Sequence, residues 1–302
     1  MTPRDAARSI LDSALAAGDV TPLIRRHLRL DLPRRARVHV LGCGKASGAM
    51  AAVAEEVVGD RIGDGFVVVK DGHGARARRV QIAEAGHPVP DARGLAASAR
   101  LLELARGARE DDLVLFLVSG GGSALTPAPA PPITLAEKRE VTQLLLDSGA
   151  TIGELNAVRK HVSLFKGGQL ARAAWPATVL TLALSDVIGD PLDVIASGPT
   201  APDPTTFADA REVLVRRGLA GRVPASIPRR LEAGLRGEIE ELVGAVEGIE
   251  PAGIAGVGVE HLPVALGERA EPRELLLGGF RRGVVVRRAV GDAEIQVEVT
   301  AG

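Results

Sequence analysis

Three kinds of reactive side chain sit beside glycines in this chain. Lys45 lies inside Gly42-Cys43-Gly44-Lys45-Ala46-Ser47-Gly48. Ser119 and Ser123 flank Gly120, Gly121 and Gly122. Asp186 and Asp190 fall in Ser185-Asp186-Val187-Ile188-Gly189-Asp190-Pro191. A lysine in a glycine turn that opens a helix joins its own charge to the positive end of the helix dipole, which suits an anion. Three glycines in a row leave no Cβ in the way, so successive backbone N–H groups can converge on a phosphate. A carboxylate just past the end of a strand is a natural Mg²⁺ ligand opposite such a loop. Asp186 is the first choice for that ligand and Asp190 the second, against the plainer reading of both as turn residues. Asn156, Arg159 and Lys160 fall at i, i+3 and i+4 on a helix expected over 152–162. That face could hold phosphate or carboxylate, or simply face water. Lysine, glycine loop and carboxylate together are the equipment of phosphoryl transfer, which asks for positioning and charge neutralisation.

The elements that must carry these residues are alternating strands and helices. Apolar runs at 38–41, 66–69, 80–83, 113–118 and 178–184 predict strands, and 113–118 reads as one buried on both faces. Helices are expected between them, with Asp91 capping one over 92–105 and Thr134 with Glu137 forming a capping box for the next. This order predicts an α/β fold: a doubly wound, mostly parallel, Rossmann-like sheet with helices on both faces. In such sheets ligands bind outside the carboxyl ends of the strands, where all four polar segments would gather. His87, in the stiff loop Gly86-His87-Pro88-Val89-Pro90-Asp91, is a further candidate for a pocket wall. Neither familiar phosphate fingerprint is met. Gly48 comes one place too late for G-x-G-x-x-G, and Lys45 is followed by Ala46 where a P-loop needs Ser or Thr.

Composition narrows the function classes. The 302 residues carry a formal charge of −1, 46% are hydrophobic and 25% charged, an ordinary globular balance. No basic excess suggests a nucleic-acid partner, and aromatics at 2%, with no tyrosine, offer little for base stacking. Cys43 is the single cysteine, so no intramolecular disulfide can form. No apolar run approaches membrane-spanning length and Met1–Ile10 has no signal-peptide core, so a cytoplasmic protein with no membrane partner is expected.

Taken in order, the motifs around Lys45, Gly86–Asp91, Ser119–Leu125, Asn156–His161, Leu184–Asp190 and Ser197-Gly198-Pro199-Thr200 resemble those of the glycerate 2-kinase family. The resemblance covers about residues 1–235. It implies ATP-dependent phosphorylation of D-glycerate to 2-phosphoglycerate with Mg²⁺, a place for Lys45 in the active site, Ser119–Ser123 as the family's glycine loop, and Asp186 as its conserved aspartate. Family members resemble a two-domain protein with the active site in the cleft between the domains. Residues 1–237 are expected to form the first domain. Residues 238–302 do not match the second and read as a short tail, with 283–288 and 294–299 as a candidate hairpin. A cleft short of one wall would expose its charges to water, so impaired turnover is expected, and the sheet edge left bare would favour a homo-oligomer. Two other readings stay open: an NAD(P)-dependent oxidoreductase of the hydroxypyruvate reductase type, and a ligand-binding protein without turnover.

Overall fold

The computed structural model describes residues 2–17, 19–28, 36–185, 187, 190–240 and 254–258. Six strands form one sheet: β1 (Val38–Cys43), β2 (Ile62–Lys70), β3 (Gln81–Ala85), β4 (Leu113–Ser119), β5 (Thr178–Ser185) and β6 (Ile254–Gly258). Their order is β3-β2-β1-β4-β5-β6, and every pair is parallel. The doubly wound fold expected from the sequence is therefore present. The chain starts at the centre with β1, steps outward through β2 and β3, then returns to β4 and winds the other way. That reversal places the carboxyl ends of β1 and β4 side by side, with Cys43 paired to Val118. Crevices at such reversals are where open α/β sheets bind ligands.

The helices are α1 (Pro3–Ala17), α2 (Val20–His27), α3 (Ser47–Val58), α4 (Ala92–Gly107), α5 (Gly122–Leu125), α6 (Leu135–Asp147), α7 (Ile152–His161), α8 (Gln169–Ala174), α9 (Phe207–Arg216) and α10 (Ser226–Leu235). Alternate residues of the central strands divide the core. Val38, Val40, Leu115 and Leu117 pack with Ile24 of α2 and Met50, Ala51 and Ala54 of α3. Leu41, Val114, Phe116 and Val118 face the other way, onto Leu101 and Ala105 of α4 and Leu170 and Ala174 of α8. Both faces of β1 and β4 are thus covered, which is why these strands read as unbroken apolar runs.

A third cluster lies apart from the sheet. Val141 and Leu145 of α6, Leu155 and Val158 of α7, Val213 and Leu214 of α9, and Ile227 and Leu231 of α10 pack on one another. Three of these helices start on a capping box, Thr134–Glu137, Thr151–Glu154 and Thr206–Asp209. Each box satisfies two backbone donors at a helix start and fixes where the helix begins. The subdomain matters because α7 carries Asn156, Arg159 and Lys160.

The apolar runs of the sequence predict a sheet that ends at β5. The structure adds β6 beside it, from beyond residue 237, in the stretch set apart as a tail. The proposed hairpin at 283–299 lies outside the described residues.

Candidate functional site

The loops after β1 and β4 are stitched together at the reversal point. The backbone N–H of Lys45 donates to the Gly120 carbonyl at 3.0 Å. The N–H of Ala46 donates to Ser119 Oγ at 2.9 Å, and Ser47 Oγ donates to the Leu117 carbonyl at 3.0 Å. Gly44 makes this approach feasible. Its φ is +138°, and a Cβ there would lie 2.2 Å from Ser119 Oγ. Ser119, predicted to line the phosphate loop, therefore works as the fastener between the two loops, and it is buried. Lys45 keeps its side chain exposed above them.

Gly121 has φ +92°, and a Cβ on it would lie 3.0 Å from His87 Nε2 and 3.4 Å from Lys45 Cγ. Gly121 is thus the floor between a lysine and a histidine, each of the three coming from a different loop. Burial, then the charges of Lys45, Lys70 and His73, hold the His87 imidazolium below its ordinary pKa. His87 thus favours its neutral form beside Lys45 and Lys70. Gly122 fits closely too: a Cβ there would come within 2.8 Å of Cys43 Sγ and 2.9 Å of Ala196 Cβ.

The far side of the crevice is a chain of hydrogen bonds. Arg159 Nη2 donates to Ser123 Oγ at 2.5 Å, the Ser123 and Ser197 hydroxyls lie 2.8 Å apart, and Ser197 Oγ donates to Asn156 Oδ1 at 3.0 Å. Lys166, fully buried, donates from Nζ to the carbonyls of Ser123 at 2.8 Å and Thr126 at 3.0 Å. Ser197 reaches its place through an unusual turn. Ala196, Ser197 and Gly198 have φ of 51°, 62° and 61°. Left-handed backbone at two residues with a Cβ is costly and is kept only where the surroundings enforce it.

The predicted cationic face of α7 is split by the structure. Asn156 and Arg159 join the hydrogen-bond chain through Ser123 and Ser197. Lys160 does not: its Nζ lies 3.2 Å from both Asp193 Oδ2 and Asp203 Oδ1, with a side chain only 2% exposed. Its charge is met inside the fold by these two carboxylates. The two neutralising carboxylates are far along the sequence, which is why spacing within one helix could not reveal them. Asp186 lies outside the described residues. Asp190 is exposed, with φ 46°. Among the described residues no group of three or more His, Cys, Asp or Glu could hold a metal. That does not conflict with Mg²⁺ on a nucleotide, which takes one or two carboxylates and completes its shell with phosphate and water.

Sequence reasoning did not single out Ser197, Lys166, Asp193 or Asp203. Ser197-Gly198-Pro199-Thr200 carried the only signal, as a motif without a role.

Fold and crevice define a Rossmann-type α/β protein with an anion-suited site at its switch point. Residues 6–232 match the family model described as "Domain of unknown function (DUF4147)". The chain is 44% identical over 207 residues to a glycerate 2-kinase of Pyrococcus horikoshii, covering 68% of this chain and 46% of that one. It is 49% identical over 184 residues to a D-glycerate 2-kinase of Thermotoga maritima, covering 61% and 44%. It is also 41% identical over 294 residues to an Agrobacterium vitis protein named as a hydroxypyruvate reductase, covering 95% and 66%. The crystal structure of the Thermotoga maritima glycerate kinase superposes with a TM-score of 0.73 at 38% identity, covering 84% of this chain and 57% of that one. This protein belongs to the DUF4147 family and, within it, to the glycerate 2-kinase family. It spans between 44% and 66% of the length of these curated relatives. Among the described residues no helix is long and apolar enough to cross a membrane.

Proposed function

We propose that this protein catalyses ATP- and Mg²⁺-dependent phosphorylation of D-glycerate to 2-phosphoglycerate, in the cytoplasm. The observation that carries the reading is the convergence of Lys45, the Gly120–Gly122 loop and the Arg159–Ser123–Ser197–Asn156 chain on one crevice. Similarity to glycerate kinases supports D-glycerate as the substrate of that crevice.

Bound nucleotide would supply the phosphoryl group, with Mg²⁺ offsetting charge on its phosphates through Asp186 and Asp190. The protein's own part is to position and to neutralise. Lys45, exposed and beside Gly121, faces the phosphates and balances charge that builds on the transferring group. The glycine loop lets phosphate oxygens come close to the backbone, since no Cβ intervenes at Gly121. His87, neutral beside that loop, can accept the proton that the attacking hydroxyl loses. Lys160 stays outside this scheme and holds α7 in place.

The test is ADP release from purified protein with D-glycerate and MgATP, run beside Lys45→Ala. Glycerate-dependent turnover that the variant loses supports the reading. Turnover untouched by the variant removes Lys45 from the site, and no turnover in folded protein removes the kinase.

The Agrobacterium vitis relative favours a second reading, nicotinamide-dependent reduction of hydroxypyruvate. The glycine spacing at Gly42–Gly48 argues against it, because the dinucleotide fingerprint fails. Cofactor oxidation that depends on hydroxypyruvate would establish that reading instead.

A further inference from the structure

The α7 side of the crevice holds a buried donor that the fold leaves without an acceptor. Asn156 is only 4% exposed, yet its Nδ2 has no hydrogen-bond partner. The polarity of the neighbouring chain explains which atom is left over. Arg159 can only donate, so Ser123 passes its hydroxyl hydrogen to Ser197, and Ser197 passes its own to Asn156 Oδ1. The amide nitrogen then has nothing to bond. A buried polar group without a partner costs on the order of 1–3 kcal/mol and calls for an explanation.

Charge tells the same story. Among the described residues no carboxylate pairs with Arg159, and burial alone lowers its guanidinium to about 10. Lys166 and Lys138, both buried, lie close enough to Arg159 for their charges to repel. Lys166 bonds only to carbonyls, and Lys138 has the Val162 carbonyl at 3.4 Å. One residue further along α7 the fold treats a lysine quite differently, giving Lys160 two carboxylates. At Lys160 this protein supplies the counter-charge from within the fold. Around Arg159 the described residues supply none.

We propose that Arg159 and Asn156 form a carboxylate subsite, which binds the carboxylate of a small hydroxy acid across the crevice from Lys45. A guanidinium and a primary amide one turn apart, joined through the Ser123–Ser197 pair, offer the planar donors that a carboxylate accepts. The enclosure suits a small group, whereas the exposed Lys45 rim suits the bulkier, hydrated phosphates. Naming glycerate as the acid rests on the kinase reading; the subsite itself does not.

The test uses calorimetric titration of the full chain without nucleotide, with D-glycerate, with glycerol and with inorganic phosphate. D-glycerate binds and glycerol, which lacks the carboxylate, does not. Asn156→Ala and Arg159→Lys each weaken glycerate binding roughly 10- to 100-fold, the effect of losing one hydrogen bond to a charged group. Circular dichroism and thermal melts identify a variant that fails to fold, and Arg159→Lys keeps the charge so that loss of the planar fork is read alone. Phosphate binding as tightly as glycerate, or glycerate binding unchanged in both folded variants, overturns the subsite. Glycerate binding that needs both residues in a protein without kinase turnover upholds the subsite and refutes the kinase. Turnover with an unchanged KM for glycerate in Asn156→Ala does the reverse.

Discussion

Lys160→Met tests whether this lysine serves the fold and not the ligand. Methionine keeps the aliphatic stem and removes the charge. Asp203, 7% exposed, then loses its cation while still accepting from the Thr205 N–H at 2.9 Å and Thr205 Oγ1 at 2.7 Å. Asp193 is about one-third exposed and can turn to water. Removing one partner of a buried ion pair costs about 3–5 kcal/mol. The residual hydrogen bonds and the exposure of Asp193 put this case near the lower end, ~3 kcal/mol. For a domain of this size each kcal/mol moves the melting temperature by about 2–4 °C, so Tm should fall by roughly 6–12 °C. The assay is thermal unfolding followed by circular dichroism, with calorimetric affinity for MgATP measured well below the new midpoint. Folded Lys160→Met should bind nucleotide within about threefold of the parent, since the lysine makes no ligand contact in this scheme. An unchanged Tm with lost nucleotide affinity would refute the argument and return Lys160 to the cationic face that its spacing suggested.

Three further outcomes follow from the same geometry. Lys45→Ala should lower turnover by about 100-fold or more while moving stability by no more than ~0.5 kcal/mol, because the side chain is exposed and the structural bond to Gly120 comes from its backbone; a matching loss of Tm would mean the lysine is structural. Gly44→Ala should cost at least ~3 kcal/mol, from a disfavoured φ and a Cβ driven into Ser119, and a normal melting curve would show that the two loops are not stitched as described. His87 has a folded pKa below its unfolded value near 6.5, so the unfolded chain binds the proton more readily; its contribution to stability is complete above about pH 6.5 and is lost as pH falls through the folded value. His87→Asn should flatten that limb of the stability–pH curve, and an unaltered limb would assign the slope to other groups.

Much of the fold was legible because β1 and β4 are buried on both faces and so cannot hide in alternation. Continuous apolar runs ending in glycine turns marked the central strands, and the hydroxyl–carboxylate spacing at Thr134 and Glu137 marked a helix start. β6 was not legible: Ile254-Ala255-Gly256-Val257-Gly258 carries two glycines in five residues and mimics a turn. The glycine loop and Lys45 could be found from local sequence, since loop and helix start are neighbours in the chain. Ser197, Asp193 and Asp203 could not, because their partners lie 33 to 74 residues away. A helix wheel reports which residues share a face of α7, but not which of them meets a counter-charge.

That distinction explains why Lys160 still matters to the site without touching it. Asn156 and Arg159 ride on the same short helix. The segment that carries Ser197 is bracketed by Asp193 and Asp203, the two carboxylates that Lys160 binds. The ion pairs therefore fix α7 against the 193–203 loop, and the Ser197–Asn156 hydrogen bond is made only if that distance is kept. A charge-neutral replacement at 160 should loosen the carboxylate subsite even below its melting temperature, while leaving the Lys45 side intact, because that side is stitched separately by the Gly120 and Ser119 bonds. Lys160→Met should thus weaken glycerate binding more than nucleotide binding. Equal losses for both ligands would mean that the crevice moves as one body and that its two sides are not built independently.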